Sequence, residues 1–191
     1  MLEPESAGRS GAVWVFAYGS LIWQPAFTAA ESQPACLPGF QRAFCVWSAH
    51  ARGTPDNPGL GLAVVRNAAA SCEGVAIKTG VSDTGAALAA LWEREMWTDV
   101  YRPVWRTLAL VGGGQVSALV FEANRESRQF AGMLSATEAA RYIATASGKF
   151  GTCREYMEAT YTALQSFGFD CPDISAVQAV LSGRHSDGKP A

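Results

Sequence analysis

Two glutamates share one helical segment, and only one of them is placed for proton chemistry. The stretch from Thr84 to Trp97, TGAALAALWEREMW, carries apolar residues at Leu88, Leu91, Trp92 and Met96. Their offsets of zero, three, four and eight make one stripe at helical spacing. Offset seven completes that stripe, and it is occupied by Glu95. Glu93 lies about 200° round the helix from Glu95 at roughly 100° per residue. The pattern therefore predicts Glu95 facing the interior and Glu93 facing water. A buried carboxylate is costly unless it is paired, hydrogen-bonded or protonated. Desolvation raises its pKa toward the range where a general acid or base works. The competing reading is a structural ion pair with Arg94 or another arginine.

A second element of chemistry follows the first predicted strand: Tyr18-Gly19-Ser20-Leu21-Ile22-Trp23. A Gly-Ser pair at a strand end lets consecutive backbone N–H groups turn inward as an anion-binding concavity. Such donors suit a carboxylate, or the charge that develops when a carbonyl is attacked. The hydroxyls of Tyr18 and Ser20 add side-chain hydrogen bonds. The plain alternative is an ordinary strand exit with aromatic packing. A phosphate loop of the form G-x-x-x-x-G-K-[ST] is absent.

The elements that must position these groups read as strands first, one helix interrupting them, then helices. Val13–Tyr18, Gln41–Trp47, Leu60–Val65 and Cys72–Lys78 have strand character. Between the second and third lies HARGTPDNPG, a surface loop dense in turn residues. Ser82 or Asp83 is the expected cap of the helix that carries Glu95. Val104–Leu110 and Gln115–Glu122 form a hairpin over Gly112-Gly113-Gly114. Ser135-x-x-Glu138 and Thr152-x-x-Glu155 are capping boxes, each opening a helix. The second of these helices runs to Phe167 and stops at Gly168, and a short helix spans Asp173–Leu181. This order implies an α+β domain with a strongly curved, barrel-like sheet. A single domain over residues 12–183 is expected, with disordered tails at 1–11 and 184–191.

Composition closes off several functions. Hydrophobic residues make up 49% of the 191 and charged residues 17%, enough apolar content for one sizeable core. A net charge of −2 provides no basic field for phosphate backbones, so nucleic acid is not an expected partner. No apolar run is long enough to span a bilayer, and MLEPESAGRS lacks the pattern of a secretory signal. A soluble intracellular protein is expected. Five cysteines without a C-x-x-C argue against a disulfide framework or a zinc site. There are two histidines, and His185 sits in the polar tail, so a histidine-dependent triad would rest on His50.

Taken in order, YGSLIW, PGF-QR-F, RGTPDNPGL, LWEREM and CREYM resemble the ChaC family of glutathione-specific gamma-glutamylcyclotransferases. The resemblance runs from Val13 to about Asp173. It implies a gamma-glutamylcyclotransferase-like fold, a small mixed β-barrel with flanking helices. It also implies a cytoplasmic enzyme with glutathione as substrate and no metal or organic cofactor. By position, Glu95 resembles the family's acid/base, and Tyr18, Gly19, Ser20, Leu21, Ile22 and Trp23 its loop for the gamma-glutamyl group. Tyr156 matches a late tyrosine of the same pocket. The segment after Glu95 departs from many relatives: it reads TDVYRPVW, with Tyr101 where a Gly-Tyr pair is common.

The expected reaction is attack of the substrate's γ-glutamyl α-amine on its own γ-carbonyl, closing 5-oxoproline and releasing Cys-Gly. Arg42, Arg52 and Arg66 are candidates for the glycine carboxylate, because arginine suits bidentate carboxylate recognition. Two rival readings stand beside this one. They are a cyclotransferase for other γ-glutamyl amino acids or amines, and a non-catalytic module that binds a γ-glutamyl ligand.

Overall fold

The computed structural model describes residues 11–183. Residues 1–10 and 184–191, which hold nearly all of the expected tails and His185, lie outside the described residues. Five strands close a mixed barrel: β1 (Trp14–Ala17), β2 (Glu31–Ser48), β3 (Gly59–Lys78), β4 (Tyr101–Leu110) and β5 (Gln115–Ala123). Antiparallel pairs join β1 to β3, β3 to β2, β2 to β4 and β4 to β5. Closure comes from parallel pairing of β1 with β5, with Trp14 opposite Ala118.

β1 shows how the sequence divides the interior. Side chains alternate along a strand, so Phe16 and Tyr18 enter the barrel with Leu37, Phe40, Val64 and Val120. Val15 and Ala17 point the other way, onto α1 (Thr84–Glu95) through Leu91. Three further helices cover the other side: α2 (Ala136–Thr145), α3 (Cys153–Ser166) and α4 (Pro172–Leu181). Their apolar faces bury Ile143, Met157, Leu164 and Ile174 against Phe44, Leu60 and Leu62. A two-residue hairpin, β6 (Ser147–Gly148) with β7 (Gly151–Thr152), joins α2 to α3.

Both predicted capping boxes form, with reciprocal bonds between Ser135 and Glu138 and between Thr152 and Glu155. Gly168 follows α3 with φ +84°, the left-handed conformation a helix stop favours. Asp83 occupies the cap position of α1, but its side chain makes no capping bond.

The strand expectations are corrected in one respect. Gln41–Trp47, Leu60–Val65 and Cys72–Lys78 are parts of two long bent strands, and residues 31–40 are strand as well. Pro34 and Pro38 argue locally against a ladder. The chain tolerates them because the register shifts beside Pro38, where Gly39 takes φ +79°. Pro38 pairs with Ser71 and Phe40 with Arg66, so β3 advances five residues while β2 advances two. That bulge bends the ribbon enough for its two halves to belong to different sides of the barrel.

Candidate active site

The site is built where β1, α1, β4 and α3 converge at one end of the barrel. β1 delivers Tyr18 and then stops. The chain passes through Gly19 into a 3-10 turn over Ser20–Ile22, whose backbone bonds begin with Ile22 N–H to Gly19 O at 3.1 Å. The first N–H groups of such a turn have no partner within it. Among the described residues, no backbone carbonyl outside the turn takes those of Ser20 and Leu21. Leu21 is buried against Leu91 and Val15, which fixes the turn to the underside of α1.

Glu95 is the last residue of α1. Its side chain is 15% exposed, and Glu93 is exposed, so periodicity distinguished the two carboxylates correctly. The stripe itself is less complete than expected. Leu91 is buried, but Trp92 is 50% exposed. The helix also stops two residues before Trp97. Arg94 Nε lies 3.1 Å from Glu95 Oε1, so the ion pair considered above exists. It does not consume the carboxylate's chemistry. Burial raises the Glu95 pKa, and the Arg94 charge and hydrogen bond only partly oppose that rise.

Tyr18, Gly19, Ser20, Leu21, Glu95 and Tyr156, all expected at the site, line one small inner chamber of about 30 Å³. Tyr101, Leu62 and Phe121 complete it. Ile22 and Trp23 are among neither this chamber's walls nor those of its neighbour. Both pack toward α3, where Trp23 Nε1 donates to Thr160 Oγ1 at 3.0 Å and the indole meets the Tyr156 ring edge-on. Their part is to wedge the turn in place. A Cβ added at Gly19 would lie 3.4 Å from the Tyr156 hydroxyl, so glycine there leaves the chamber its width.

The three phenols have a fixed polarity. Tyr18 OH donates to Phe121 O at 2.5 Å, and Tyr101 OH donates to Leu62 O at 3.0 Å. Their remaining lone pairs can only accept. Tyr156 OH accepts from Leu62 N–H at 3.3 Å, which leaves its own proton available to donate. Burial, with the Glu95 charge adding to it, raises all three phenol pKa values, so they are neutral at physiological pH. The chamber therefore offers acceptors at Glu95, Tyr18 and Tyr101, and donors at Tyr156 and the turn amides. An α-amino acid group, with one ammonium and one carboxylate, matches that division.

Sequence reasoning noted Tyr101 as a departure after Glu95 but did not place it among the site residues. Tyr101 opens β4 opposite Ala123, six positions after Glu95, and packs against the clusters around Leu91 and Cys45, with its hydroxyl on Leu62 O. Of the three arginines considered, Arg42 is buried at 5% exposure and serves the fold: its Nε donates to Tyr18 O at 2.7 Å. Arg66 is exposed and lies over the Phe40 ring. Arg52 alone lines the site, in an outer chamber of about 560 Å³ that opens from the inner one past Ser20, Glu95, Tyr101 and Tyr156. His50 sits at the same outer wall with its ring beside Trp97.

The sequence model of ChaC-like proteins matches residues 13–182. This chain belongs to the ChaC-like family. The ChaC-like chain is 34% identical over 93% of its length to a glutathione-specific gamma-glutamylcyclotransferase of Escherichia coli K12, covering 78% of that protein. It is 32% identical over 83% of its length to gamma-glutamylcyclotransferase 2-3 of Arabidopsis thaliana, covering 82% of it. Among solved structures, a yeast gamma-glutamyl cyclotransferase specific to glutathione superposes with a TM-score of 0.83 at 19% identity, over 92% of this chain and 98% of that one. That likeness establishes the barrel-and-helices fold of the ChaC-like chain. No helix among the described residues is long and apolar enough to cross a membrane.

Proposed function

We propose that this ChaC-like protein is a gamma-glutamylcyclotransferase that cleaves glutathione to 5-oxoproline and Cys-Gly. The observation that carries the reading is the inner chamber, where a desolvated carboxylate faces a strand-exit turn with unpaired amides and three phenols of fixed polarity. The Escherichia coli relative named as glutathione-specific and the Arabidopsis relative named as a gamma-glutamylcyclotransferase support it.

In this reading the γ-glutamyl head sits where the inner chamber opens into the outer one, with its charged end toward Ser20, Glu95, Tyr101 and Tyr156. Its ammonium lies against Glu95 and the lone pairs of Tyr18 and Tyr101. Its carboxylate, or the oxyanion of the attacked carbonyl, takes the Tyr156 proton and the N–H groups of Ser20 and Leu21. Glu95 as a carboxylate removes a proton from the α-ammonium, and the free amine then attacks the γ-carbonyl carbon. Attack leaves the ring nitrogen positively charged; as the tetrahedral centre collapses, Glu95 returns its proton to the cysteinyl nitrogen, the bond to that nitrogen breaks, and the ring nitrogen's surplus proton passes through Glu95 to the released amine. Nucleophile and electrophile belong to one molecule, so the protein's task is to hold a folded conformer with reacting atoms about 3–3.5 Å apart. The balanced reaction requires no metal or organic cofactor. All five cysteines are free thiols, which fits a reducing compartment such as the cytoplasm.

The test is incubation of the purified protein with glutathione, following 5-oxoproline and Cys-Gly. Equimolar release of both supports the proposal. Glutathione binding without either product supports a non-catalytic module instead, and faster release from γ-glutamyl-alanine than from glutathione points to another specificity.

A further inference from the structure

We propose that the outer chamber is the Cys-Gly subsite, and that Arg52 recognises the glycyl carboxylate there. The inference rests on the cyclotransferase reading of the inner chamber. At about 560 Å³ the outer chamber has the size of a small-molecule pocket. Its wall carries Arg52, Lys149 and Arg94 against one carboxylate, Glu95. Arg94 is already committed to Glu95. Arg52 and Lys149 are left, and among the described residues neither has a carboxylate within ion-pair distance. The field at this wall favours an anion.

Arg52 is the better fixed of the two cations. Its guanidinium carbon lies 5.5 Å from the centre of the Tyr156 ring and 5.8 Å from that of Trp23. Nη1 donates to Phe150 O and, at 3.5 Å, to Thr152 O, which ties the side chain to the β6–β7 hairpin. Nε and Nη2 form the side-on fork that pairs with carboxylates, and among the described residues no acceptor meets them. Lys149, by contrast, is an exposed side chain on a two-residue hairpin.

The loop beneath Arg52 is built by close backbone approaches. A Cβ on Gly148 would come within 2.7 Å of the Ala51 carbonyl and 2.6 Å of Gly53 N. A Cβ on Gly53 would meet Ser48 O at 2.5 Å. Arg52 N–H is held by Ser48 Oγ at 3.0 Å, and Asn57 Nδ2 reaches Thr145 O at 3.1 Å. RGTPDNPG thus packs as a wedge between β2, β3 and the hairpin, and the arginine emerges at a set position. Tyr156 partitions the two chambers, its hydroxyl in the inner one and Arg52 over its ring.

The test compares glutathione with γ-glutamyl-cysteinyl-glycinamide, which lacks the terminal charge, by kcat/KM for 5-oxoproline release. Wild-type protein is expected to prefer glutathione by tenfold or more. Arg52→Met should lower kcat/KM for glutathione at least tenfold more than for the amide, mainly through KM, and Arg52→Lys should restore part of the preference. A readout independent of any variant is product inhibition: Cys-Gly should inhibit the wild type and Cys-glycinamide should not. Equal handling of both substrates by the wild type, equal losses in Arg52→Met, or a preference that vanishes only in Lys149→Met would overturn the assignment of Arg52. Release of 5-oxoproline from neither substrate would overturn the cyclotransferase reading, and this one with it.

Discussion

Arg94 reaches across the site to Ser20, donating from Nη2 to Ser20 Oγ at 2.8 Å. Nε of the same guanidinium lies 3.1 Å from Glu95 Oε1. One side chain thus couples the position of the strand-exit turn to the charge state of the carboxylate. Its charge lowers the Glu95 pKa against the larger upward effect of burial. Removing it leaves burial unopposed, so the pKa rises further.

That predicts a pH effect of known sign. Glu95 works as a base and must be ionised, so turnover falls as pH drops through its pKa. Arg94→Met should move the acid limb of the kcat profile to higher pH, and Arg94→Lys should leave it nearer the wild type. A profile whose acid limb stays in place would detach Arg94 from the titration.

Tyr156 is the one phenol of the three with a proton free to donate. A hydrogen bond to a charged group contributes about 1.5–3 kcal/mol, which corresponds to roughly tenfold to 150-fold in kcat/KM. Tyr156→Phe should lose that much activity and also some stability, because Leu62 N–H loses its acceptor. Full activity in Tyr156→Phe would mean the hydroxyl touches neither carboxylate nor oxyanion.

Arg42 makes a prediction about stability. Buried in the barrel, it holds Tyr18 O at 2.7 Å and pairs with Asp173 at 3.5 Å, at the start of α4. Breaking a buried ion pair costs about 3–5 kcal/mol, or roughly 6–20 °C in Tm for a domain of this size. Arg42→Met should melt lower by that order. Asp173→Asn should cost less, since the Asp173 side chain is 30% exposed. An unchanged Tm in Arg42→Met would remove the network from the fold's stability.

How far the sequence reached follows from which forces are local. Helix caps depend on residues three apart, and both capping boxes formed as read. The choice of Glu95 over Glu93 needed only helical periodicity, and it survived although Trp92 turned out exposed. Residues 31–40 were missed because their pairing is decided by partners far along the chain, Glu31 opposite Lys78 and Ala35 opposite Leu110. The place of Tyr101 in the site and most of the outer chamber's wall were missed for the same reason. Nothing near Arg52 in sequence announces that it will lie over the ring of Tyr156.

The most direct measurement is glutathione turnover by Glu95→Gln, read as 5-oxoproline release beside glutathione affinity and Tm. Turnover should fall a hundredfold or more, typical for loss of an acid/base residue, with affinity largely retained. Glu95→Gln should melt no lower than wild type at neutral pH. The native state raises this carboxyl's pKa, so the ionised form opposes folding above the ordinary glutamate range, and the amide removes that penalty. Near-normal turnover in this variant, with Glu93→Gln indistinguishable from it, would contradict the account.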